Sequence, residues 1–331
     1  MKRIEYGEVE LAPDFQRRVR IWDLGRKSRL IESILLRIPL PVFYVAADIE
    51  ENWRVVDGLQ RLTTIFDFTH TTSEHSFNLR GMEYLQAYEG ANFLQLPRSI
   101  KRRIEETELN INVIESGTPD EVMFNVFKRI NAGGISLNGQ EIHHALNPGP
   151  ARDFLLNLAT STSFRSGTDG SVKDERMAAR ELALRFSAFW LTPPENYVGS
   201  DLDGFLNEAM KNLNQKSLKD LRQVEAAFDS AMSRAREIFG DDAFRKRLDQ
   251  YASRSPINRA LFEAWSVNLA RLSDGEFDVL KDHSSHLRNA FYNKLSASPY
   301  FLASISVATG SRARLVERFS TIQDLIEGVI R

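Results

Sequence analysis

The spacing of the hydrophobic residues changes near Pro148, and this change limits the chain to a fold of two parts. Before Pro148, short apolar runs alternate with helical stretches, a mixture typical of a small sheet flanked by helices. After it, apolar residues recur at helical spacing to the end of the chain, apart from a polar loop near residues 161–171. A chain of 331 residues is also long enough for two cores. We therefore predict an α+β domain over residues 1–150 and an all-helical domain over residues 151–331.

Local patterns predict the elements of both domains. Apolar spacing indicates a helix over residues 26–38, which Pro39-Leu40-Pro41 ends because proline cannot continue a helix. Another helix begins at Thr118-Pro119-Asp120-Glu121, where threonine is the cap and proline takes the first helical position. A helix that begins after Gly58 has as its inward residues Leu62, Ile65 and Phe66. The predicted strands cover residues 42–45, 53–56 and 109–114, and the clearest helices of the second domain cover residues 177–191, 221–238, 257–272 and 313–330.

Composition excludes several classes of function. The chain has no cysteine, so it forms no disulfide and carries no thiolate nucleophile or thiolate metal site. Its 43 basic and 45 acidic residues give a net charge of −2, so any contact with DNA must come from a local basic patch. The first residues carry no apolar secretion signal, and no run approaches the roughly 18 apolar residues that a membrane helix needs. We therefore predict a soluble, cytoplasmic protein.

The segment Asp57-Gly58-Leu59-Gln60-Arg61 follows an apolar strand and leads into a helix. The N-terminus of a helix presents unpaired N–H groups and a partial positive charge, and glycine lets the backbone come close to a ligand. Arg61 can form two hydrogen bonds with a phosphate, and Gln60 can orient a water molecule. Asp57 can bind a divalent cation or accept a proton. The same residues also fit an ordinary Asp-Gly turn followed by a helix with a solvated Gln-Arg pair.

Two other segments combine arginine with groups that suit a nucleotide. In residues 14–22, three arginines precede Trp22 and could bind a phosphate or stack on a base. In residues 127–137, Arg129 and an asparagine stand at a predicted helix end beside two glycines, where backbone amides can bind a phosphate. Each segment also has an ordinary interpretation, an amphipathic turn with a solvated basic face for the first and a helix cap with its loop for the second.

In their order and spacing, the three segments resemble the N-terminal domain family of the GmrSD-type modification-dependent restriction proteins, a branch of the ParB and sulfiredoxin-like superfamily. Members typically carry a Gln-Arg segment shortly before a tryptophan, an Asp-Gly-Gln-Gln-Arg-Leu-Thr-Thr segment, and a Phe-x-Arg-x-Asn-x-Gly-Gly-x-x-Leu segment that ends in glutamate. The counterparts here are Gln16-Arg17 with Trp22, residues 57–64, and residues 127–137 with Glu141. The resemblance covers about residues 10–150, and the helical remainder is similar to the C-terminal region of stand-alone members.

The resemblance implies a ParB-like domain that binds and hydrolyses a nucleoside triphosphate with Mg²⁺. Asp57 and Gln60 would act in hydrolysis, and Asp57 would also hold the Mg²⁺ ion. The residues implied to bind the nucleotide are Gln16, Arg17, Trp22, Gly58, Arg61, Thr63, Arg129, Asn131, Gly133 and Gly134. One position departs from the motif, since Leu59 stands where the family has its first glutamine. If that position touches the nucleotide in relatives, hydrolysis would be slower here or the base preference different.

A DNA contact and a nuclease centre have weaker support in the sequence. The local candidates for contact with the DNA backbone are Arg98, Lys101, Arg102 and Arg103. Glutamates at 105, 106 and 108 follow them and favour a solvated helix surface with internal ion pairs. In several members of the family a separate domain with a histidine-metal motif cuts DNA, but neither His143-His144 nor the pair of His283 and His286 has the further ligands that such a site needs. Any nuclease would therefore act in trans.

Three functions of different classes follow. The favoured one is a nucleotide-dependent switch of an anti-phage or modification-dependent restriction system that reports to DNA or to a partner nuclease. The second is a non-catalytic DNA-binding or scaffold protein whose nucleotide site has decayed, which Leu59 would favour. The third is a metal-dependent nuclease that nicks DNA with the ParB-like site itself. A single nucleotide site further predicts that the segments around Arg17, Arg61 and Arg129 line one concave pocket with Asp57 at its floor or rim.

Overall fold

The computed structural model describes residues 2–10, 22–72, 74–130, 138–198, 201–247 and 253–331. The strands are β1 (Val9–Glu10), β2 (Phe43–Ala47), β3 (Trp53–Asp57) and β4 (Ile111–Ile114). The helices before residue 138 are α1 (Lys2–Glu5), α2 (Leu24–Leu35), α3 (Leu59–Thr69), α4 (Arg98–Glu105) and α5 (Asp120–Ile130). Those that follow are α6 (Gly139–Leu146), α7 (Ala151–Thr160), α8 (Thr162–Gly167), α9 (Ala178–Leu191), α10 (Leu202–Gln215), α11 (Leu218–Phe239), α12 (Arg259–Arg271), α13 (Asp274–Asp282), α14 (Ser284–Ala297), α15 (Pro299–Ser304) and α16 (Arg312–Ile330).

The chain divides into two compact units, one up to residue 137 and one from residue 138 on. The first unit contains β1 to β4, and the second has helices and no strand among its described residues. The α+β class predicted from the change in hydrophobic spacing is therefore confirmed. The division lies before α6 rather than near residue 150, because α6 packs on α9 and α10 of the helical unit.

The strands form one mixed sheet in the order β1-β3-β2-β4. β3 runs antiparallel to β2 and parallel to β1, and β4 runs parallel to β2. The register between β2 and β3 shifts between Tyr44 and Val45, next to the pairing of Tyr44 with Asp57. Such irregularities bend a strand and re-aim the side chains beside them. The sheet is therefore irregular at the point where Asp57 ends β3.

The first unit has two hydrophobic clusters, and α3 contributes to both. The inward residues of its first turn pack with the strands, whereas Ile65 and Phe68 pack in the cluster that includes α2 and α4. Phe68 takes the inward place predicted for Phe66, which is half-buried and stacks on His70 with the ring centroids 4.0 Å apart. Because α3 is packed on two sides, the position of its N-terminal turn on the sheet is fixed.

The other predicted elements of the first unit are present, with ends displaced by a few residues. α2 ends at Leu35 rather than at residue 38, and Arg37 then takes a left-handed φ of 59°. β4 begins at Ile111 rather than at residue 109 and lies at an edge of the sheet. Val113 is 41% exposed there, so the apolar alternation of β4 does not mark a buried face.

The helical unit is built around one large hydrophobic cluster to which α7, α9, α11, α12 and α16 contribute. α8 occupies most of the polar loop that the sequence predicts near residues 161–171, so that prediction is wrong over α8. Ser161 caps α8 by accepting a hydrogen bond from the Phe164 amide at 3.1 Å, and the ring of Phe164 is buried. The small residues of α8 allow close packing, since a Cβ atom at Gly167 would lie 3.0 Å from Met232 on α11. None of the described helices combines the length and apolar character that a membrane crossing needs.

Candidate functional site

Gly58 forms the turn between β3 and α3, with a left-handed φ of 94°. A Cβ atom at this position would lie 2.4 Å from Cδ1 of Phe43, a distance that side chains do not tolerate. Both the backbone conformation and the close approach to the Phe43 ring therefore require glycine. The result is a tight corner that places the first turn of α3 directly over the sheet.

The first turn of α3 has no side-chain cap, because its N-cap residue is Gly58. The turn also contains no acidic residue. The Leu62 amide is the first to donate within the helix, to the Gly58 carbonyl at 2.9 Å. The amides before it have no partner within the helix, as at any helix N-terminus, and they carry a partial positive charge. This end of α3 is electrostatically suited to an anion.

The side chain of Arg61 lies over the ring of Phe43, with Cζ 4.5 Å from the ring centroid. It donates to Oδ2 of Asp57 at 2.7 Å, to the Val42 carbonyl at 3.3 Å and to the Pro41 carbonyl. Only 12% of the side chain is exposed. Burial lowers the pKa of Arg61 and the nearby Asp57 opposes this effect, but the group stays charged because arginine is not deprotonated in proteins. A solvated Gln-Arg pair is therefore not present at Arg61.

Two kinds of partner of Arg61 are not visible in the spacing of the motif. Phe43 is fully buried at the start of β2, and sequence analysis places it only in a strand. The two accepting carbonyls belong to the segment just before β2. They reach Arg61 because β2 and β3 are antiparallel neighbours, which the sequence of the motif does not encode. Arg61 therefore connects the start of α3 to both central strands.

Asp57 ends β3 with 33% of its side chain exposed. Its Oδ2 is paired with Arg61, and no residue that the structure describes donates to its Oδ1. Among the residues that the structure describes, no group of three or more histidine, aspartate or glutamate side chains could hold a metal ion. Mg²⁺ is commonly held by one or two carboxylates together with the phosphates of a nucleotide. Asp57 therefore fits a magnesium ion only as one ligand beside a bound triphosphate.

Gln60 and Thr63 differ in what they offer to a ligand. Gln60 is half-buried in the first turn of α3. Thr63 is only 2% exposed, and its hydroxyl donates to the Leu59 carbonyl at 2.9 Å. A buried hydroxyl that already bonds its own helix is not free to bind a phosphate. A role of Thr63 in nucleotide binding would therefore require this helical hydrogen bond to break, and the roles of Gln60 and Thr63 both stay predictions.

Leu59, the position that departs from the family motif, points into the protein. It is 6% exposed and packs in the cluster of the sheet with Phe43, Val45 and Val55. A side chain at this position contacts the core rather than the surface of the corner. The departure therefore adds to the packing of α3 on the sheet.

The other residues predicted to bind a nucleotide are only partly described. Gln16, Arg17, Asn131, Gly133 and Gly134 lie outside the described residues. Trp22 is half-buried and packs against the cluster of α2 and α3. Arg129 is exposed near the end of α5, and α5 contacts β3. The side chain of Arg61 faces the sheet, and Arg129 faces solvent. Because the segment around Arg17 lies outside the described residues, the convergence of the three arginine segments stays a prediction.

The basic residues of α4 all have partners within the first unit. Arg98 lies 3.5 Å from Glu105, and Arg102 lies 3.8 Å from Glu106. The remaining two donate to backbone carbonyls, Lys101 to that of Leu94 at 2.6 Å and Arg103 to that of Leu35 at 3.4 Å. The surface ion pairs are highly exposed and weak. This arrangement matches the predicted solvated helix surface more closely than a built DNA-binding site.

The two histidine pairs lie in the helical unit and occupy different surroundings. His143 and His144 are buried in α6, and burial, together with the charges of Arg152 and Arg180, lowers the pKa of His144 to about 3. His144 is therefore neutral at physiological pH. His283 is exposed at the end of α13, where its Nδ1 lies 3.0 Å from the Val279 carbonyl. These surroundings agree with structural or solvated roles for both pairs.

The fold and the corner at Gly58 define a small α+β domain in which a strand, a left-handed glycine and an uncapped helix meet. Residues 2–147 match the model of the GmrSD restriction endonuclease N-terminal domain family. The front part of this chain therefore resembles the GmrSD N-terminal domain, as the three sequence motifs predict. A search of the curated proteins and a search of the solved structures gave no match. The matched region extends through α6, which packs in the helical unit.

Proposed function

We propose that the GmrSD N-terminal domain binds a nucleoside triphosphate at the first turn of α3, and that the protein acts as a nucleotide-dependent switch in a restriction system. The main support is the corner at Gly58, where the amides of an uncapped helix and the charged guanidinium of Arg61 lie in the same turn. The family is named after a restriction endonuclease, which supports the biological context.

The ion pair between Arg61 and Asp57 makes the site conditional. Because the two charges are 2.7 Å apart, the pair presents little net charge to an approaching phosphate. A phosphate oxygen would compete with Oδ2 of Asp57 for the same N–H groups of Arg61. The carboxylate released in this way is the group that would ligate the Mg²⁺ of the nucleotide. Binding would therefore rearrange a contact that also connects α3 with β2 and β3, and we propose this rearrangement as the switch.

Hydrolysis is the second part of the proposal. Gln60 lies in the same turn and would orient the attacking water, and Asp57 would assist as a base. Leu59 favours a retained site over a decayed one, because its side chain lies in the core and its presence removes no group from the surface of the corner. DNA would be the target of the system, and an effector nuclease in trans would cut it. The basic residues of α4 are paired internally, so they do not form a ready DNA contact.

The variant Gln60→Glu tests the site. A carboxylate in the first turn interacts favourably with the helix dipole, which offsets the cost of a charge at the buried position of Oε1, and a thermal melt checks that the variant is folded. The same charge would repel the phosphates, and the affinity for a nucleoside triphosphate with Mg²⁺ should drop at least tenfold, or about 1.4 kcal/mol. Isothermal calorimetry and phosphate release, measured with each of the four nucleotides with and without DNA, provide the readout.

The matched control is Gln86→Glu, an identical chemical change at an exposed position of the same unit. It should bind and hydrolyse nucleotide like the natural protein. Equal affinity of the Gln60→Glu variant and its control would place the site elsewhere. A natural protein that binds none of the four nucleotides would instead support the scaffold function, and DNA cleavage that is lost on chelation would support the nicking nuclease.

A further inference from the structure

The helical unit contains a cleft of about 510 Å³ that is separate from the corner at Gly58. It is lined by the first turns of α9 and α12, by the segment that follows α8 and by the segment that follows α15. The polar lining side chains with a cation or a hydroxyl are Lys173, Arg245, Arg259, Ser171, Ser306 and Thr309. No acidic residue is found among the lining residues that the structure describes. Apolar side chains such as Leu182 and Ile257 form the rest of the wall.

Arg245 is a fixed cation of this cleft. It is 6% exposed and donates to the Ser171 hydroxyl at 2.8 Å, to the Ser255 carbonyl at 2.6 Å and to the Asp241 carbonyl at 3.0 Å. Burial and the neighbouring charge of Arg254 lower its pKa, and the carboxylates of Asp169, Asp242 and Asp241 offset only part of this effect. The guanidinium is therefore held in an environment that disfavours its charge, and an anion beside it would relieve that penalty.

Arg259 brings the end of a buried ionic network to the cleft. It lies 3.0 Å from Glu181, which lies 2.9 Å from Arg185, which in turn lies 2.9 Å from Glu263. Glu263 is fully buried and also pairs with Arg318, so the network holds three guanidinium groups against two carboxylates. The surplus positive charge belongs to the end at Arg259, whose side chain is 60% exposed on the cleft.

Arg318 links the network to a second lining segment of the cleft. It is fully buried and donates from Nη1 to the carbonyl of Thr309, a lining residue, at 2.7 Å. Its Nε–H is buried without a hydrogen-bond acceptor among the residues that the structure describes. Unsatisfied buried donors are uncommon in proteins and indicate a missing partner or a tuned site.

The first turn of α9 reaches the cleft from a strained connection. Arg176 and Met177, the two residues before α9, have left-handed φ values of 53° and 60° although neither is glycine. Asn138 donates to the Arg176 carbonyl at 2.7 Å, and the Arg176 guanidinium donates to Glu141 at 2.6 Å. Such strain persists only where neighbouring contacts enforce it, and it is concentrated at functional sites. The contacts with α6 thus fix the start of α9 beside the cleft, where Asp174 accepts a hydrogen bond from the Arg180 amide at 3.2 Å.

We propose that this cleft binds a phosphomonoester with a compact apolar group. Three cations and three hydroxyls, with no acidic side chain among the described lining residues, suit a dianion with several acceptor oxygens better than a single carboxylate. The apolar wall at Leu182 and Ile257 receives the group that carries the phosphate. The cleft would give the helical unit its own small-molecule input, independent of the nucleotide site on α3.

Phenyl phosphate is a suitable probe, because it combines a phosphate with a small apolar ring. Calorimetry on the full chain should show saturable binding of phenyl phosphate, weaker binding of inorganic phosphate and no binding of phenol. The variant Lys173→Glu reverses an exposed charge of the cleft and should weaken phenyl phosphate binding at least tenfold while its melting temperature stays unchanged. Lys219→Glu, an exposed lysine on α11 away from the lining residues, is the control and should bind normally.

The two proposed sites can fail separately. Gln60→Glu should bind phenyl phosphate normally, and Lys173→Glu should bind nucleoside triphosphate normally. Absence of saturable phenyl phosphate binding, or equal binding by Lys173→Glu and its control, would overturn the cleft proposal. A single-stranded DNA oligonucleotide that binds through Lys173 when phenyl phosphate does not would also overturn it, in favour of a nucleic-acid surface.

Discussion

The guanidinium of Arg61 contacts an aromatic ring, a carboxylate and two backbone carbonyls, and it does so from the first turn of α3. These contacts give the residue two roles. It holds the corner together in the absence of a ligand, and in our proposal it binds a phosphate when Asp57 gives way. A side chain with both roles affects stability as well as affinity, so the two effects have to be measured separately.

Truncation of Arg61 should destabilise the first unit. In Arg61→Ala the partly exposed Asp57 loses its cation and two carbonyls lose a donor, which should lower the free energy of unfolding by about 2 kcal/mol. Urea unfolding followed by circular dichroism measures this difference. Arg98→Ala removes an arginine that is 80% exposed and should change stability by less than about 0.5 kcal/mol. Equal losses in the two variants would show that the contacts of Arg61 contribute little.

Sequence reasoning at this scale succeeds for neighbours and fails for partners across the sheet. Asp57, Gly58 and Arg61 lie within five residues, so their meeting at one turn follows from the chain itself. The contact of Arg61 with Phe43 depends on which strand lies beside β3, and no local pattern contains that information. For the same reason, the alternative interpretation of the motif as a solvated Gln-Arg pair places in solvent an arginine whose side chain is only 12% exposed.

At the scale of the element, α3 depends on a single glycine. A side chain at Gly58 meets two obstacles, a φ of 94° and the ring of Phe43 at 2.4 Å. The helix behind it is packed into both clusters of the unit and cannot move away without loss of core contacts. The corner is therefore determined by backbone conformation and packing together.

The two obstacles can be separated with a pair of variants. Gly81 also has a left-handed φ, of 68°, but a Cβ atom there would meet nothing within 4 Å. Gly81→Ala should therefore cost about 1 kcal/mol for the backbone alone. Gly58→Ala should cost about 1–3 kcal/mol more, because the methyl group overpacks the corner. Urea unfolding of both variants measures the difference, and similar losses would mean that the Phe43 ring moves aside freely.

The prediction of elements is accurate where the hydrophobic period is long and inaccurate where small polar residues are concentrated. Helices such as α9 and α12 are found within about two residues of their predicted ends. The sequence predicts a loop over α8, since its serines, threonine and glycine suggest a turn. The structure shows that Gly167 allows α8 to approach α11, so residue size reflects helix packing here rather than loop conformation.

At the scale of the whole molecule, α6 lies inside the region that matches the family model, yet it packs in the helical unit. Its capping residues Asn138 and Glu141 both bond to Arg176, and its buried residue Asn147 bonds to Asn207 of α10 at 2.6 Å. These contacts explain why the boundary between units differs from the one near residue 150 that the sequence predicts. The change in hydrophobic period near Pro148 marks where the sequence pattern changes. A helix that precedes this point, such as α6, can still pack on the helices that follow it.

Hydrogen exchange can show to which unit α6 belongs energetically. If its packing decides its stability, the amides of α6 should share the protection of α9 and α10, since cooperative units open together. Mass spectrometry of the full chain in increasing urea would follow peptides from α3, α6 and α9. Exchange of α6 in step with α3 would contradict this prediction.

The position of α6 also has a consequence for how such proteins could exchange parts during evolution. A recombination event at the end of the family domain would carry α6 into a new chain with its buried residues, Ile142 and Ala145 among them, facing a foreign set of helices. Only junctions before residue 138 would transfer the α+β unit without that mismatch. Inheritance of α6 should therefore be linked to the region behind it, and its substitutions should change together with those of α9 and α10.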